Sequence, residues 1–287
     1  MKKFSIVLSV FVLLAVFGGC RRNESAAAGS AEQQAGSAAV QTISVGGSTS
    51  VTPLMEMFQA EYAGISPNVT ITISGTGSGD GITGSASGIY DIGMSSRELR
   101  PAEIGTGLEP MVVAIDGIAI IINNSSPISN LSMDQVRDIY TGAITRWEQL
   151  GETANGKSGG IAVISREPGS GTRGAFQEIL DFSDANLAAA ANILDGTGAI
   201  RSSVAQNPDA IGYISSGSVN DSVKALNVDG AAPSEANIRN GSYRIARPFI
   251  LITRRGVAPN AQTQAFLDWV MGPQGQAVVG RNWVSIN

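Results

Sequence analysis

Apolar and polar residues alternate with period two over residues 42–45, where Ile43 and Val45 share a side, and again over 69–73, where Val69, Ile71 and Ile73 do. That period predicts half-buried strands. The first strand leads through a short loop into a stretch where Leu54, Met57, Phe58 and Tyr62 fall at helical spacing, which predicts a helix over 51–62. The same order recurs twice: strand 69–73 runs into a helix beginning at Asp80, and strand 161–166 into a helix over 173–180. Two longer β-rich runs, 111–122 and 243–252, lie between and after these units. The first is too short for a membrane span, which needs about 20 apolar residues, and is predicted to be a buried strand. Val136 and Ile139, set against Asp134, Arg137 and Asp138, predict an amphipathic surface helix over 133–140. Trp147, Trp269 and Trp283 are assigned to core packing.

The three strand-to-helix loops are alike in chemistry. They read Gly46-Gly47-Ser48-Thr49-Ser50, Ser74-Gly75-Thr76-Gly77-Ser78-Gly79 and Glu167-Pro168-Gly169-Ser170-Gly171-Thr172. A helix start exposes backbone N–H groups and the positive end of the dipole, glycine lets the backbone come close, and hydroxyls add donors. Arg166, just before the third loop, adds a planar fork suited to two oxygens of a tetrahedral oxyanion. One such loop would be read as a capped helix and no more. Three of them with an adjacent arginine point to an oxyanion cage. Two other glycine-rich stretches are decoys. Residues 151–158 have Walker A spacing but precede a strand instead of opening a helix, so they are read as a surface loop. Residues 79–84 have a dinucleotide-type spacing without an acid placed to hold a ribose.

Composition narrows the chemistry. The 287 residues are 43% hydrophobic and 15% charged, with 35 glycines, no histidine and one cysteine. This is an ordered, loop-rich chain long enough for two domains. Without histidine there is no Ser/His/Asp or Cys/His nucleophile and no His-ligated metal, and one cysteine makes neither a thiolate zinc site nor an intrachain disulfide. The net charge of −5 offers no basic field to nucleic acid. No cofactor or metal is expected.

The first residues carry their own signal. Lys2 and Lys3 precede an apolar run from Phe4 to Phe17, and Phe17-Gly18-Gly19-Cys20 follows. This is the layout of a signal peptide over residues 1–19. The end of the run resembles a bacterial lipobox with phenylalanine in the usual leucine position, which would make Cys20 a lipidated N-terminus; the alternative is ordinary export with a free cysteine. Cleavage takes the basic residues from 19 to 17 against 24 acidic, a net charge of −7. Residues 20–41, beyond the cysteine rich in Ala, Gly, Ser, Gln and Glu, are expected to form a flexible tether.

From about Thr42 onward the chain resembles the substrate-binding protein of the bacterial phosphate-specific ABC transporter. The resemblance rests on Gly47-Ser48-Thr49-Ser50, Gly77-Ser78-Gly79, Asp91-Ile92-Gly93-Met94-Ser95-Ser96-Arg97-Glu98 and Ser165-Arg166-Glu167-Pro168-Gly169-Ser170-Gly171-Thr172-Arg173. It extends to Ile211-Gly212-Tyr213-Ile214, Phe266-Leu267-Asp268-Trp269-Val270 and Gly272-Pro273-Gln274-Gly275-Gln276. It implies an α/β, two-domain periplasmic-binding-protein fold with a central ligand cleft and two crossover strands, assigned to the runs 111–122 and 243–252. Domain I would comprise residues 42–116 plus 247–287, and domain II residues 117–246. The implied phosphate contacts are Thr49, Ser50, Ser78, Ser96, Arg166, Ser170, Gly171 and Thr172. Some relatives carry, at the position of Ser96, an aspartate that accepts the proton of hydrogen phosphate. Asp80 is a candidate for that role here, or else only an acid that suits a helix start. Arg97 either aids the anion or pairs with Glu98 or another acid.

The expected protein is thus a non-enzymatic monomer, exported and tethered to the membrane, that binds inorganic phosphate and delivers it to ABC permease subunits. Ser96 motivates an alternative ligand: sulfate, molybdate or tungstate. An exported phosphate-ester hydrolase with Ser48, Thr49 or Ser78 as nucleophile is the alternative of another class, and it needs an activating base or metal. A phosphate sensor without a transport role is indistinguishable at this level.

Overall fold

A computed structural model describes residues 40–286. Residues 1–39, and with them the signal peptide, Cys20 and most of the tether, lie outside the described residues. Residues 40–286 lie within one compact unit.

The chain begins with β1 (Gln41–Gly47), α1 (Thr52–Ala63), β2 (Val69–Gly75), α2 (Ser78–Ser87), β3 (Ile92–Ser95) and the short α3 (Pro101–Ile104). The long β4 (Leu108–Ile122) follows, then β5 (Asn130–Leu131), α4 (Met133–Thr141), β6 (Ala162–Arg166), α5 (Gly171–Ile179), β7 (Asn192–Leu194) and α6 (Gly196–Gln206). The chain continues with β8 (Ala210–Ser215), β9 (Lys224–Ala225), β10 (Asn227–Val228), α7 (Glu235–Arg239), β11 (Ala246–Arg254), α8 (Ala261–Met271) and α9 (Pro273–Val279).

One sheet runs in the order β2-β1-β3-β11-β4-β8-β6-β7. Its two flanks are parallel, β1 with β2 and β3, and β6 with β7 and β8. Antiparallel β11 and β4 join them. Nine of the first ten residues of β4 pair with β11 and its last five with β8, the change falling between Gly117 and Ile118. A slip in register after Phe249 skips Val113, whose carbonyl instead accepts from Gln276 Nε2 at 3.1 Å.

Separate hydrophobic cores explain why β4 can be so long. Val113 and Ala114 are buried with Ile43, Val45, Leu54, Phe58, Phe249 and, from the C-terminal helices, Phe266, Val270 and Val279. Ile118, Ile120 and Ile122 are buried with Val136, Trp147, Phe176 and Tyr213. Alternate residues Ala119 and Ile121 face a further cluster with Ile200 and Val204. Ile82, Leu108 and Ile252 form a fourth. Both faces of β4 are therefore covered from Val113 onward, which is why it reads as a nearly continuous apolar run, whereas exposed Thr70 and Thr72 leave β2 with one covered face and an alternating sequence. This is the α/β, two-domain periplasmic-binding-protein architecture, with β4 and β11 as crossover strands.

The expected elements are present with shifted ends. α2 begins at Ser78, not Asp80, and α5 at Gly171, not Arg173. First-turn N–H groups need no intrahelical partner, so small polar residues there cost little and the loop hydroxyls become the helix start. β11 begins at Ala246 instead of Tyr243. Part of the stretch taken for a loop at 151–158 is a 3-10 turn ending at Ala154. Trp147 and Trp283 are buried, and Trp269 packs half-buried against Phe58, Tyr62 and Phe266.

Candidate functional site

The three glycine-hydroxyl loops meet beside the β4 and β11 crossovers. Gly47, at φ +133, ends β1 where a side chain would strike the carbonyl of Met94 at 2.3 Å. Its own carbonyl accepts from the backbone N–H groups of Thr76 and Gly77, both at 2.8 Å, which ties the first loop to the second. In the third loop Gly169 takes φ +88, and the Ser170 hydroxyl caps α5 by accepting from the Arg173 N–H at 3.3 Å. The Gly169 carbonyl accepts from the Gly79 N–H at 3.0 Å, so loops from the two flanks touch. At Gly171 an added Cβ would lie 2.2 Å from Ser78 Oγ and 2.7 Å from Ser96 Oγ; only glycine lets the start of α5 come so near that of α2.

The hydroxyls form two groups. Ser50 Oγ lies 2.8 Å from Thr172 Oγ1 and 3.2 Å from Thr197 Oγ1, and Thr49 Oγ1 lies 3.3 Å from the latter. Ser78 Oγ lies 3.3 Å from Ser96 Oγ and accepts from the Ser96 N–H at 3.1 Å. Ser50, Ser78, Ser96, Ser170 and Thr172 are all buried. Seven of the eight expected contacts, all but Thr49, thus lie in fully buried positions of one loop cluster, and Thr49 joins them through Arg166.

Arg166 lies at the end of β6, 1% exposed. Its backbone is held by the Tyr213 hydroxyl, which accepts from its N–H at 3.3 Å, and by Arg173 Nη1, which donates to its carbonyl at 2.8 Å. Nε donates to Glu167 Oε2 and Nη2 to Glu167 Oε1, each at 2.7 Å, and Nη2 also donates to Thr49 Oγ1 at 3.0 Å. Nη1 is buried and has no hydrogen-bond partner. Burial pushes the Glu167 carboxyl up, but the hydrogen bonds and charge of Arg166, with backbone N–H groups, outweigh it and leave the carboxyl below its usual range. The pair is fixed, charged and locally neutral, with one edge of the fork left to give.

A second buried arginine stands behind Ser96. Arg247 Nη1 donates to the Ser96 carbonyl at 3.1 Å, while Nε and Nη2 donate to Asp116 Oδ2 at 3.2 and 3.0 Å. The hydroxyls of Ser215 and Ser216 donate to Asp116 Oδ1. Burial raises the Asp116 carboxyl above its usual range against the pull of Arg247.

Two sequence candidates have partners of their own. Asp80 is exposed and accepts from the Tyr90 hydroxyl at 2.9 Å. Arg97 makes a two-pronged pair with Glu103 at 2.8 and 2.7 Å, which is the pairing alternative, with a partner farther along the chain than Glu98. The sequence reading assigned no role to Thr197, Glu167, Arg247 or Asp116. Thr197 follows a strand of only three residues, too short for a period to register. Asp116 did carry a signal: it is the lone charge inside the apolar run 111–122, and buried charges are paired.

The arrangement is a set of neutral donors around one guanidinium edge, suited to hold an oxyanion. The partners of the side chains of Thr49, Ser50, Ser78, Ser96 and Thr172 described above are hydroxyls, backbone N–H groups and Arg166. Among the described residues no group of three or more His, Cys, Asp or Glu side chains could hold a metal ion.

Residues 32–274 match the family described as the PBP superfamily domain. The chain is 28% identical over 247 residues to the phosphate-binding protein PstS of Borreliella burgdorferi, covering 83% of this chain and 87% of that one. Among solved structures it is similar to a putative phosphate ABC transporter substrate-binding protein with bound phosphate from Clostridium perfringens, at TM-score 0.82 and 39% identity, covering 86% of this chain and all of that one. An ABC-type phosphate transport receptor from Vibrio cholerae matches at TM-score 0.69 and 32% identity, over 84% of this chain and 99% of that one.

Proposed function

The chain belongs to the PBP superfamily, and from that premise we propose that it binds inorganic phosphate and delivers it to an ABC permease for uptake, without catalysing a reaction. The observation that carries this is the buried, unpartnered Nη1 of Arg166 at the edge of a cluster of hydroxyls. A buried donor without a partner costs about 1–3 kcal/mol or more, and a tetrahedral oxyanion removes that cost while accepting from the hydroxyls around it. Thr49, Ser50, Ser78, Ser96, Arg166, Ser170, Gly171 and Thr172 are the proposed phosphate contacts. The relatives named above, two of them described as phosphate transport proteins and one solved with phosphate, support the same ligand.

Residues 42–116 with 247–287, and residues 117–246, are proposed as the two domains that close over the anion. Support comes from the core residues of β4, which divide between Ala114 and Ile118. The finer features of the delivery route belong to the proposal too: export by a signal peptide, a lipid at Cys20, and a monomer that meets the permease. Fatty-acid labelling that disappears in Cys20→Ser tests the anchor.

A second reading has its own observation. No carboxylate stands where Ser96 does, so nothing in the cluster demands a proton from the ligand, and sulfate or molybdate is the alternative. Titration calorimetry of the anion-stripped protein with phosphate, sulfate and molybdate tests both. Tight binding of phosphate alone supports the first reading, preference for another anion supports the second, and no heat with any of the three would overturn both.

A further inference from the structure

We propose that Thr197 is a further phosphate-binding residue, carried by a fourth strand-loop-helix unit; the proposal rests on the phosphate reading above. β7 ends at Leu194, and Asp195 joins it to α6, a helix of 11 residues whose first turn is Gly196-Thr197-Gly198. The chemistry of this loop repeats that of the other three: glycine, a hydroxyl and a helix start.

Its placement is what distinguishes it from a capped helix elsewhere. Thr197 is 6% exposed, and its Oγ1 stands 3.2 Å from Ser50 Oγ and 3.3 Å from Thr49 Oγ1. Its backbone N–H donates to Thr49 Oγ1 at 3.4 Å, where Arg166 Nη2 also donates. Thr49 Oγ1 thus receives two donors, and its single proton has to point away from both, toward Thr197 Oγ1 or toward an anion. A donor so polarised gives a stronger hydrogen bond. The Glu167 carboxylate adds a second tie, since Oε2 accepts from Arg166 Nε and from the Gly196 N–H at 3.2 Å. One carboxylate therefore sets the guanidinium and the head of α6 together, and the unpartnered Arg166 Nη1 shows that this group still has a donor to give. When the hydroxyls of Thr49, Ser50 and Thr197 turn from one another to an anion, neutral hydrogen bonds become charge-assisted ones, which are the stronger kind.

Calorimetric titration of the full chain with inorganic phosphate tests this with three proteins: the parent, Thr197→Val, which replaces the hydroxyl by a methyl, and Thr197→Ser, which keeps it. The expected result is a loss of about tenfold or more in affinity for the valine variant, as one charge-assisted bond implies, with the serine variant near the parent. A crystal grown with phosphate should place a phosphate oxygen about 2.5–3.0 Å from Thr197 Oγ1. Parent affinity in Thr197→Val, equal losses in both variants, or a phosphate out of reach of Thr197 would overturn the proposal alone. A parent protein that does not bind phosphate would overturn the phosphate reading and this proposal with it.

Discussion

Ser96 shows how much one side chain decides. It is fully buried, with its hydroxyl near Ser78, its N–H donating to Ser78 Oγ and its carbonyl held by Arg247. A hydroxyl can donate to any anion oxygen or accept from a protonated one, so it does not distinguish hydrogen phosphate from sulfate. A carboxylate there would accept the phosphate proton and would face sulfate with two unprotonated anionic groups, at a desolvation cost of about 1–3 kcal/mol or more. Ser96→Asp is therefore expected to weaken sulfate binding by about tenfold or more relative to phosphate. Competition titrations of both anions against parent and variant measure the ratio, and an unchanged ratio would show that Ser96 has no part in selectivity.

Loops and helix starts are where sequence and structure agree most usefully. The glycine-hydroxyl loops were legible because each follows an apolar stretch long enough to read as a strand, alternating in the first two and continuous over residues 161–164 in the third, and precedes a helix. The fourth was not, because β7 has three residues, of which Asn192 and Ile193 are exposed. The spacing between α2 and α5 could not be read at all, since it arises from contacts 93 residues apart, and it shows in Gly171, where a methyl group has no room. Gly171→Ala should push the start of α5 away from Ser78 and Ser96, separating the two hydroxyl groups. Phosphate affinity is expected to fall by about tenfold or more, as loss of one or two anion hydrogen bonds implies. The helix itself should persist, because alanine is the better helix former. Circular dichroism beside calorimetry checks this, and full affinity in the alanine variant would mean that the close approach is not needed for binding.

Over the whole molecule, buried and half-buried ion pairs tie parts of the chain together, and they respond to pH with a definite sign. Glu103 is held below the usual carboxylate range chiefly by its hydrogen bonds from Arg97. Asp184 is held low by Gln177 and, against some burial, by Arg173. Glu167 is low in spite of burial because of Arg166. A carboxyl with a lowered folded-state pKa contributes stability that is present above its unfolded value, about 4, and is lost as pH falls through the folded one. In Glu167→Gln the melting temperature should therefore differ most from the parent at neutral pH, and the gap should narrow below about pH 4. A gap that stays constant from pH 7 to about pH 3 would contradict the pairing.

The Asp116–Arg247 pair reaches furthest. Asp116 is on β4 and Arg247 on β11, the two crossovers, while Ser215 and Ser216 follow from β8 and the Ser96 carbonyl belongs to the loop after β3. Removing one partner leaves a buried charge alone, at about 3–5 kcal/mol, whereas replacing both by apolar groups costs far less. For a chain of this size that predicts a drop of roughly 10 °C in melting temperature for Asp116→Ala or Arg247→Met alone. Asp116→Leu combined with Arg247→Met should recover most of it. If the stability returns but phosphate affinity does not, the pair holds the Ser96 carbonyl in place as well as joining the crossovers. If affinity returns with stability, its work is confined to the fold, and if neither single variant loses stability, the buried pair carries no structural weight.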